Sequence, residues 1–227
     1  MADKILLESE AKDILRKWSV PVPRGAAIKT VDEAISSAEA TGYPVVLKVM
    51  SRGILHKSDA GGVKTGLRDR GDVERAWAEI SCAVKKSSPS AVVEGFLIEE
   101  MAPSGVEVIV GALRDEQFGP TVMFGTGGIA VEVMKDVSFS LAPLKEEEAF
   151  EMMREVRGYP LLTGLRGRTP CDVDALAGVI VKVSRVIAST EGLKEFEINP
   201  LIVYGKGVMA VDARAIFSFP RPDRSAG

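Results

Sequence analysis

Residues 197–214, Glu197-Ile198-Asn199-Pro200-Leu201-Ile202-Val203-Tyr204-Gly205-Lys206-Gly207-Val208-Met209-Ala210-Val211-Asp212-Ala213-Arg214, read as two strands folded back on each other. A two-residue turn at Gly205-Lys206, with glycine in its first central position, sets Tyr204 opposite Gly207. Asn199 then faces Asp212, and Glu197 faces Arg214. All four share one face, while Ile198, Ile202, Met209, Val211 and Ala213 are expected on the other. A three-residue turn would instead set Arg214 against Ile198. The last hairpin is thus expected to run over Phe196–Tyr204 and Gly207–Phe217.

Working outward, strands are expected at 91–101, 106–114, 120–124 and around 138–144. Their connections are too short for helical crossovers, so the sheet is expected to be antiparallel. Thr169-Pro170-Cys171-Asp172 offers a cap and a proline at the first helical position, before a helix that turns Val173, Leu176, Ala177, Ile180, Val183 and Ile187 inward.

Upstream, Ser9 is expected to cap a helix carrying Ala11, Ile14, Leu15 and Trp18, ended by Pro21 and Pro23. Thr30-Val31-Asp32-Glu33 has the capping-box spacing, and its helix runs to Gly42. Val45–Met50 then reads as a buried strand, 51–71 as a polar loop or hairpin, and Asp72 as the start of a helix with Val73, Ala76, Trp77, Ile80 and Val84 inward. Three helices are therefore expected ahead of the main sheet. The pattern is α+β, a small helical start joined to a larger sheet-and-helix unit.

The chain has 227 residues, 29 Lys plus Arg against 32 Asp plus Glu and a net charge of −3, so it offers no field for a nucleic-acid backbone. It is long enough to build a core without disulfides or a structural metal. Cys82 and Cys171 are expected as free thiols. With Met-Ala-Asp-Lys unlike a signal peptide and no long apolar run, a reducing cytoplasm is expected. Aromatic residues are only 6%, so aliphatic side chains must build the core, and the 22 glycines gather at Gly61-Gly62, Gly125-Thr126-Gly127-Gly128 and Gly164 with Gly167.

Several residues carry chemical possibilities. Asn199 and Asp212 supply oxygen ligands of the kind magnesium takes, with positions left for phosphate and water; a Glu197–Arg214 ion pair beside a solvated Asp212 is the equal alternative. Lys48 lies inside the buried strand and needs an anion or carboxylate beside it. His56 is the only histidine. It stands among Arg52, Lys57, Lys64 and the Gly61-Gly62 pair, where charge and backbone N–H groups could hold polyphosphate and an imidazole could attack a phosphoryl group. Asp59 is a candidate to orient the ring. The plainer reading, a surface histidine in a basic hairpin, is ordinarily the commoner one.

Glu99, Glu100 and Met101 end one strand and Glu107 opens the next. A strand edge there could read an adenine ring and an inward glutamate could take ribose hydroxyls; simple alternation of Glu99 and Glu100 across the sheet is the bland alternative. Gly125–Gly128 is a phosphate-contacting loop or a tight turn, and by itself favours the turn, matching neither a Walker A pattern nor a Rossmann fingerprint.

Four ordered stretches together resemble the ATP-grasp β subunit of ADP-forming acetyl-CoA synthetase, a relative of succinyl-CoA synthetase. They are Ile54–Val63, Phe118–Glu132, Leu162–Gly167, and Glu197–Leu201 with Val211–Arg214. The resemblance covers nearly the whole chain. It implies an ATP-grasp fold whose two lobes hold the nucleotide between them, a smaller lobe over 20–100 and a larger one over 101–219, with the helix at 9–18 nearby and a tail at 220–227. It also implies that Lys48 contacts phosphate, that Glu99, Glu100 and Met101 face adenine, that Glu107 meets ribose, and that Asn199 and Asp212 hold Mg²⁺ with ADP or ATP. Lys57, Gly61 and Gly62 join the nucleotide set, and Arg166 or Arg214 is the candidate arginine for the moving phosphoryl group.

In the same terms His56 becomes a phosphohistidine, loaded by a histidine of a CoA-binding α subunit and unloading to ADP. The implied overall reaction is acyl-CoA plus ADP plus phosphate giving acid, ATP and CoA, in an assembly of two α and two β chains. The thioester chemistry belongs to the α subunit, fused to this domain in some relatives and expected to be separate here. Two other readings stay open: a free-standing ATP-grasp ligase working through an acylphosphate without a histidine, and a nucleotide-sensing module without turnover.

Overall fold

The computed structural model describes residues 2–54, 56–127, 135–167 and 169–219. The expected tail at 220–227, Leu55, and the glycine loop from Gly128 through Glu132 lie outside the described residues. The chain divides into two compact units, Pro23–Pro103 and Met1–Val22 together with Ser104–Gly227.

The first unit holds a four-stranded antiparallel sheet of β2 (Gly25–Ile28), β3 (Val45–Met50), β4 (Val63–Leu67) and β5 (Gly95–Glu100), ordered β2-β5-β3-β4. Helices α2 (Val31–Thr41) and α3 (Arg70–Ser87) belong to the same unit. The capping box forms as expected, with the Thr30 hydroxyl accepting from the Glu33 N–H at 3.2 Å and the Glu33 carboxylate accepting from the Thr30 N–H at 3.2 Å. Gly42 ends α2 at φ 92°, a conformation glycine adopts without strain. Strand β3 is buried throughout, and the polar stretch after it is the hairpin alternative, returning as β4. Helix α3 begins at Arg70, two residues before the expected start at Asp72, because the Asp69 carboxylate caps it by accepting from the Asp72 N–H at 2.8 Å. Its Trp77 ring lies 4.0 Å from that of Phe96 between centroids.

The second unit holds a seven-stranded antiparallel sheet. Its strands are β1 (Ala2–Ile5), β6 (Val106–Asp115), β7 (Gly119–Thr126), β8 (Val137–Leu141), β9 (Leu193–Val203), β10 (Val208–Ala210) and β11 (Ala213–Phe219). Its main path is β1-β11-β9-β6-β7-β8, with β10 on β9. Helices α1 (Glu8–Lys17), α4 (Glu146–Glu155) and α5 (Val173–Ser189) complete the unit. Their apolar sides join the sheet in one cluster that includes Phe124, Phe196, Ile180 and Met153, all fully buried. Each such side chain contributes about 1.5–3 kcal/mol of burial.

Four expectations need correction. The three early helices do not simply precede a sheet, since β2 to β5 form a sheet of their own around α2 and α3. Leu7, not Ser9, precedes the first turn of α1, and the Glu10 carboxylate takes the Leu7 N–H at 2.7 Å. Asp172, not Thr169, caps α5, because its carboxylate accepts from the Ala175 N–H at 3.0 Å. The final hairpin keeps the expected register and the two-residue span Gly205-Lys206, with the Tyr204 N–H donating to the Gly207 carbonyl at 3.0 Å, but its left-handed glycine is not the first central residue. Positive φ belongs to Gly207, at 77°, and the Gly207 N–H goes to the Asp172 carboxylate at 2.7 Å.

Candidate functional site

The pairing of β9 with β10 and β11 places Arg214 opposite Glu197 and Ala213 opposite Ile198. The Asn199 N–H donates to the Asp212 carbonyl at 3.2 Å, so the pair named from sequence does face across the hairpin. Glu195, Glu197 and Asn199 alternate with Phe196 and Ile198, which are fully buried, and therefore share the face away from the core. Past Asn199 the alternation slips. The β6–β9 register shifts between Val108 and Val110, and Leu201, Val203, Val208 and Ala210 turn to the core, leaving Met209 and Val211 half-buried. The expected single apolar row is thus broken beside Asn199, as an irregularity of this kind re-aims the side chains around it.

On that face the Arg214 guanidinium lies 3.4 Å from Glu195 and 3.7 Å from Glu197. Its Nε is buried and has no hydrogen-bond partner among the described residues. The ion pair weighed as an alternative to a metal site is present, yet Glu195 is an additional acid that the hairpin register alone did not supply. Asn199 is exposed and Asp212 half-buried. Among the described residues no three His, Cys, Asp or Glu side chains converge on a metal-sized site. One amide and one carboxylate on facing residues still suit Mg²⁺, which keeps water and phosphate in its remaining positions.

In the other unit, Lys48 and Glu99 stand on adjacent strands, β3 and β5. Lys48 Nζ lies 3.0 Å from the Glu99 carboxylate, with side-chain exposures of 5% and 2%. The carboxylate required by a buried ammonium is therefore present. Glu100 is held elsewhere: its oxygens accept from the Arg24 N–H at 2.9 Å and the Arg24 guanidinium at 2.8 Å. Burial pushes the Glu100 carboxyl up, but these bonds and the guanidinium charge outweigh it and hold the group below the usual range. Met101 is 43% exposed, while its N–H donates to the Pro44 carbonyl at 3.1 Å.

His56 is exposed on the turn between β3 and β4. The turn is closed by Ala60 N–H to His56 O at 3.3 Å, Gly61 N–H to Ser58 O at 3.0 Å, and Gly62 N–H to Lys57 O at 2.7 Å. A Cβ on Gly62 would lie 2.5 Å from Val49 Cγ1, and one on Gly61, at φ 69°, 2.9 Å from the Ala83 Cβ. The glycine pair therefore serves close packing, and its N–H groups are spent inside the turn rather than offered to polyphosphate. Lys57 is half-buried on the same turn.

Glu107 is exposed on β6, and its carbonyl accepts from the Gly127 N–H at 2.9 Å. A Cβ on Gly127 would lie 2.7 Å from that carbonyl, which gives the glycine a close-approach role. Arg166 lies in the short 3₁₀ turn Leu165–Gly167, and its side chain is outside the described residues. Asp136 was not singled out from sequence. Its carboxylate gathers the Thr126 hydroxyl at 3.0 Å and the N–H groups of Arg157 and Gly158 at 2.7 and 2.8 Å, which fastens the end of β7 to the segment after α4.

Residues 1–216 match the ATP-grasp domain family. The chain belongs to that family. Its ATP-grasp fold is α+β, as expected from the antiparallel strand order and the helices. The β subunit of acetate–CoA ligase (ADP-forming) I from Pyrococcus furiosus is 46% identical to this ATP-grasp chain over 211 residues, covering 93% of this chain and 91% of that subunit. Acetyl-coenzyme A synthetase 1 of Candidatus Korarchaeum cryptofilum, solved with coenzyme A, Ca-AMPCP and HgCl⁺, is 46% identical at a TM-score of 0.92, over 95% of this chain and 94% of that one. A further structure of that synthetase, with coenzyme A, Mg-AMPPCP and a phosphohistidine segment pointing towards the nucleotide-binding site, is 43% identical at a TM-score of 0.81, covering 95% and 93%. No described helix of the ATP-grasp chain is long and apolar enough to cross a membrane. Cys82 and Cys171 are free thiols, as expected.

Proposed function

We propose that this chain is the nucleotide-handling β subunit of an ADP-forming acyl-CoA synthetase, an acid–thiol ligase. The carrying observation is likeness to an acetate–CoA ligase β subunit along nearly the whole of both chains. The overall reaction is acyl-CoA plus ADP plus phosphate giving acid, ATP and CoA. A CoA-binding α subunit performs the thioester half, in an assembly of two α and two β chains in the cytoplasm. This chain performs the other half: the bond between a His56 nitrogen and phosphorus breaks as a terminal oxygen of ADP bonds to phosphorus, giving ATP and free imidazole.

Phosphoryl transfer asks chiefly for positioning and charge neutralisation. Lys48, Lys57 and either Arg166 or Arg214 neutralise phosphate oxygens, and a phosphate reaching Lys48 competes with Glu99 for the ammonium. Glu99, Glu100 and Met101 border the adenine, and Glu107 takes the ribose. Arg214 has the stronger support of the two arginines, since its buried Nε is free to donate. Asn199 and Asp212 would hold Mg²⁺, which when bound neutralises nucleotide phosphate charge. Gly61 and Gly62 shape the turn that carries His56.

The reading is tested by adding purified chain to the α subunit that co-purifies with it and following ATP made from acetyl-CoA, ADP and phosphate. ATP formation that is lost in His56→Ala supports the reading; nucleotide binding without ATP formation under those conditions, or undiminished activity in His56→Ala, overturns it.

A further inference from the structure

The loop that carries His56 is fastened at its entry by a carboxylate from outside it, that of Glu94. Glu94 precedes β5, and its N–H donates to the Met50 carbonyl at the end of β3, at 2.9 Å. Its carboxylate then reaches the next turn of chain twice. One oxygen accepts from the Arg52 N–H at 3.1 Å, and the other lies 3.2 Å from the Arg52 Nε. Two residues further on, Ile54 is buried at 7% exposure in the apolar cluster of this unit. At the far side of His56, the Ser87 hydroxyl donates to the Ala60 carbonyl at 3.2 Å, and the Val49 N–H donates to the Gly62 carbonyl at 2.8 Å.

We infer that Glu94 is a positioning residue for phosphoryl transfer, acting through Arg52 to fix the entry of the loop from which His56 is presented. The inference rests on the phosphohistidine reading of His56. A carboxylate that grips both a backbone N–H and the guanidinium of the same residue restrains the backbone and the side chain together, unlike an ordinary surface ion pair. His56 itself is exposed and lies on a turn, so its aim depends on where the turn begins and ends. Misplacing a reacting group by about 1 Å can cost about 10²-fold in rate. Glutamate suits the position because a two-oxygen acceptor is needed on a stem long enough to cross from one strand end to the next.

The test uses the full chain with Mg²⁺ and γ-³²P-labelled ATP, following acid-labile label on His56 in the wild type, Glu94→Gln and Glu94→Ala. Glutamine keeps an acceptor for the Arg52 N–H but loses the charge pair, whereas alanine loses both. The labelling rate constant is expected to fall in the order wild type, Gln, Ala, with a loss of about 10-fold or more in Ala. ADP affinity and the final extent of labelling are expected to stay within about twofold of wild type. A purely structural role would lower the final extent and the affinity with the rate, and that outcome overturns the inference, as does wild-type labelling in Glu94→Ala. Should Glu94→Ala fail to fold, Glu94→Gln decides alone: a slowed rate at full extent supports the positioning role, and an unchanged rate overturns it. Absence of label on His56 in the wild type would instead remove the phosphohistidine reading, and the role of Glu94 with it.

Discussion

Lys48 and Glu99 form an ion pair of 3.0 Å on neighbouring strands, both almost wholly withdrawn from solvent. The pair explains how β3 tolerates a lysine between Leu47 and Val49, which are fully buried. It also links stability to function, since the proposed phosphate contact is the same ammonium that neutralises Glu99.

Removing one member should therefore cost more than removing both. Lys48→Met is expected to destabilise the chain by about 3–5 kcal/mol through the stranded carboxylate. Lys48→Met with Glu99→Leu should recover most of that loss. Urea unfolding of the two variants checks this, and equal stability of the single and double variants would contradict it.

Asp212→Asn keeps the hairpin, because it is the Asp212 carbonyl that accepts from Asn199. The expected outcome is an unchanged unfolding midpoint with a loss of about tenfold or more in the Mg²⁺ dependence of ADP binding. Titration of ADP binding against Mg²⁺ measures it; unchanged metal dependence would count against this site.

Asp172 holds two elements at once, the first turn of α5 and the turn after β9, through the N–H groups of Ala175 and Gly207. Asp172→Ala should cost about 1–2 kcal/mol, the upper range for loss of a helix cap. A change below a few tenths of a kcal/mol in chemical denaturation would show the two bonds to be replaceable by water.

Asp136 supplies a pH dependence. Burial pushes its carboxyl up, but the N–H groups of Arg157 and Gly158 and the Thr126 hydroxyl outweigh burial and leave it below the ordinary aspartate value. A carboxyl depressed by folding stabilises the native state above its unfolded pKa, and that contribution disappears as pH falls through the folded value. Stability should thus decline on acidification below about pH 4, and less steeply in Asp136→Asn. Parallel acid profiles for the two proteins would contradict the assignment.

Much of this was legible in the sequence where local chemistry dominates. The capping box at Thr30 and Glu33, the apolar stripe of α3 and the pairing of Asn199 with Asp212 each follow from spacing within a few residues. Less legible were features set by distant partners. Strand β1 exists because Ala2–Ile5 pairs with β11, more than two hundred residues away, and β2 because Gly25–Ile28 pairs with β5. Helix α4 opens with Glu146-Glu147-Glu148 and hides Ala149, Met152 and Met153, a stripe short enough to be passed over between stronger signals. Lys12 is fully buried on α1, where its Glu8 partner at 2.7 Å makes burial tolerable. The same holds for the site: Lys48 announced a need for a partner, but Glu99 as that partner, Arg24 on Glu100 and Glu94 on Arg52 are products of strand order.

The most direct measurement is the fate of phosphorus on the sole histidine. After brief incubation of the full chain with Mg²⁺ and γ-³²P-ATP, label resistant to base and lost in acid should map to His56, be missing from His56→Asn, and return to the nucleotide as ATP when ADP is added. Label of equal amount in His56→Asn, or none in the wild type, would contradict the account.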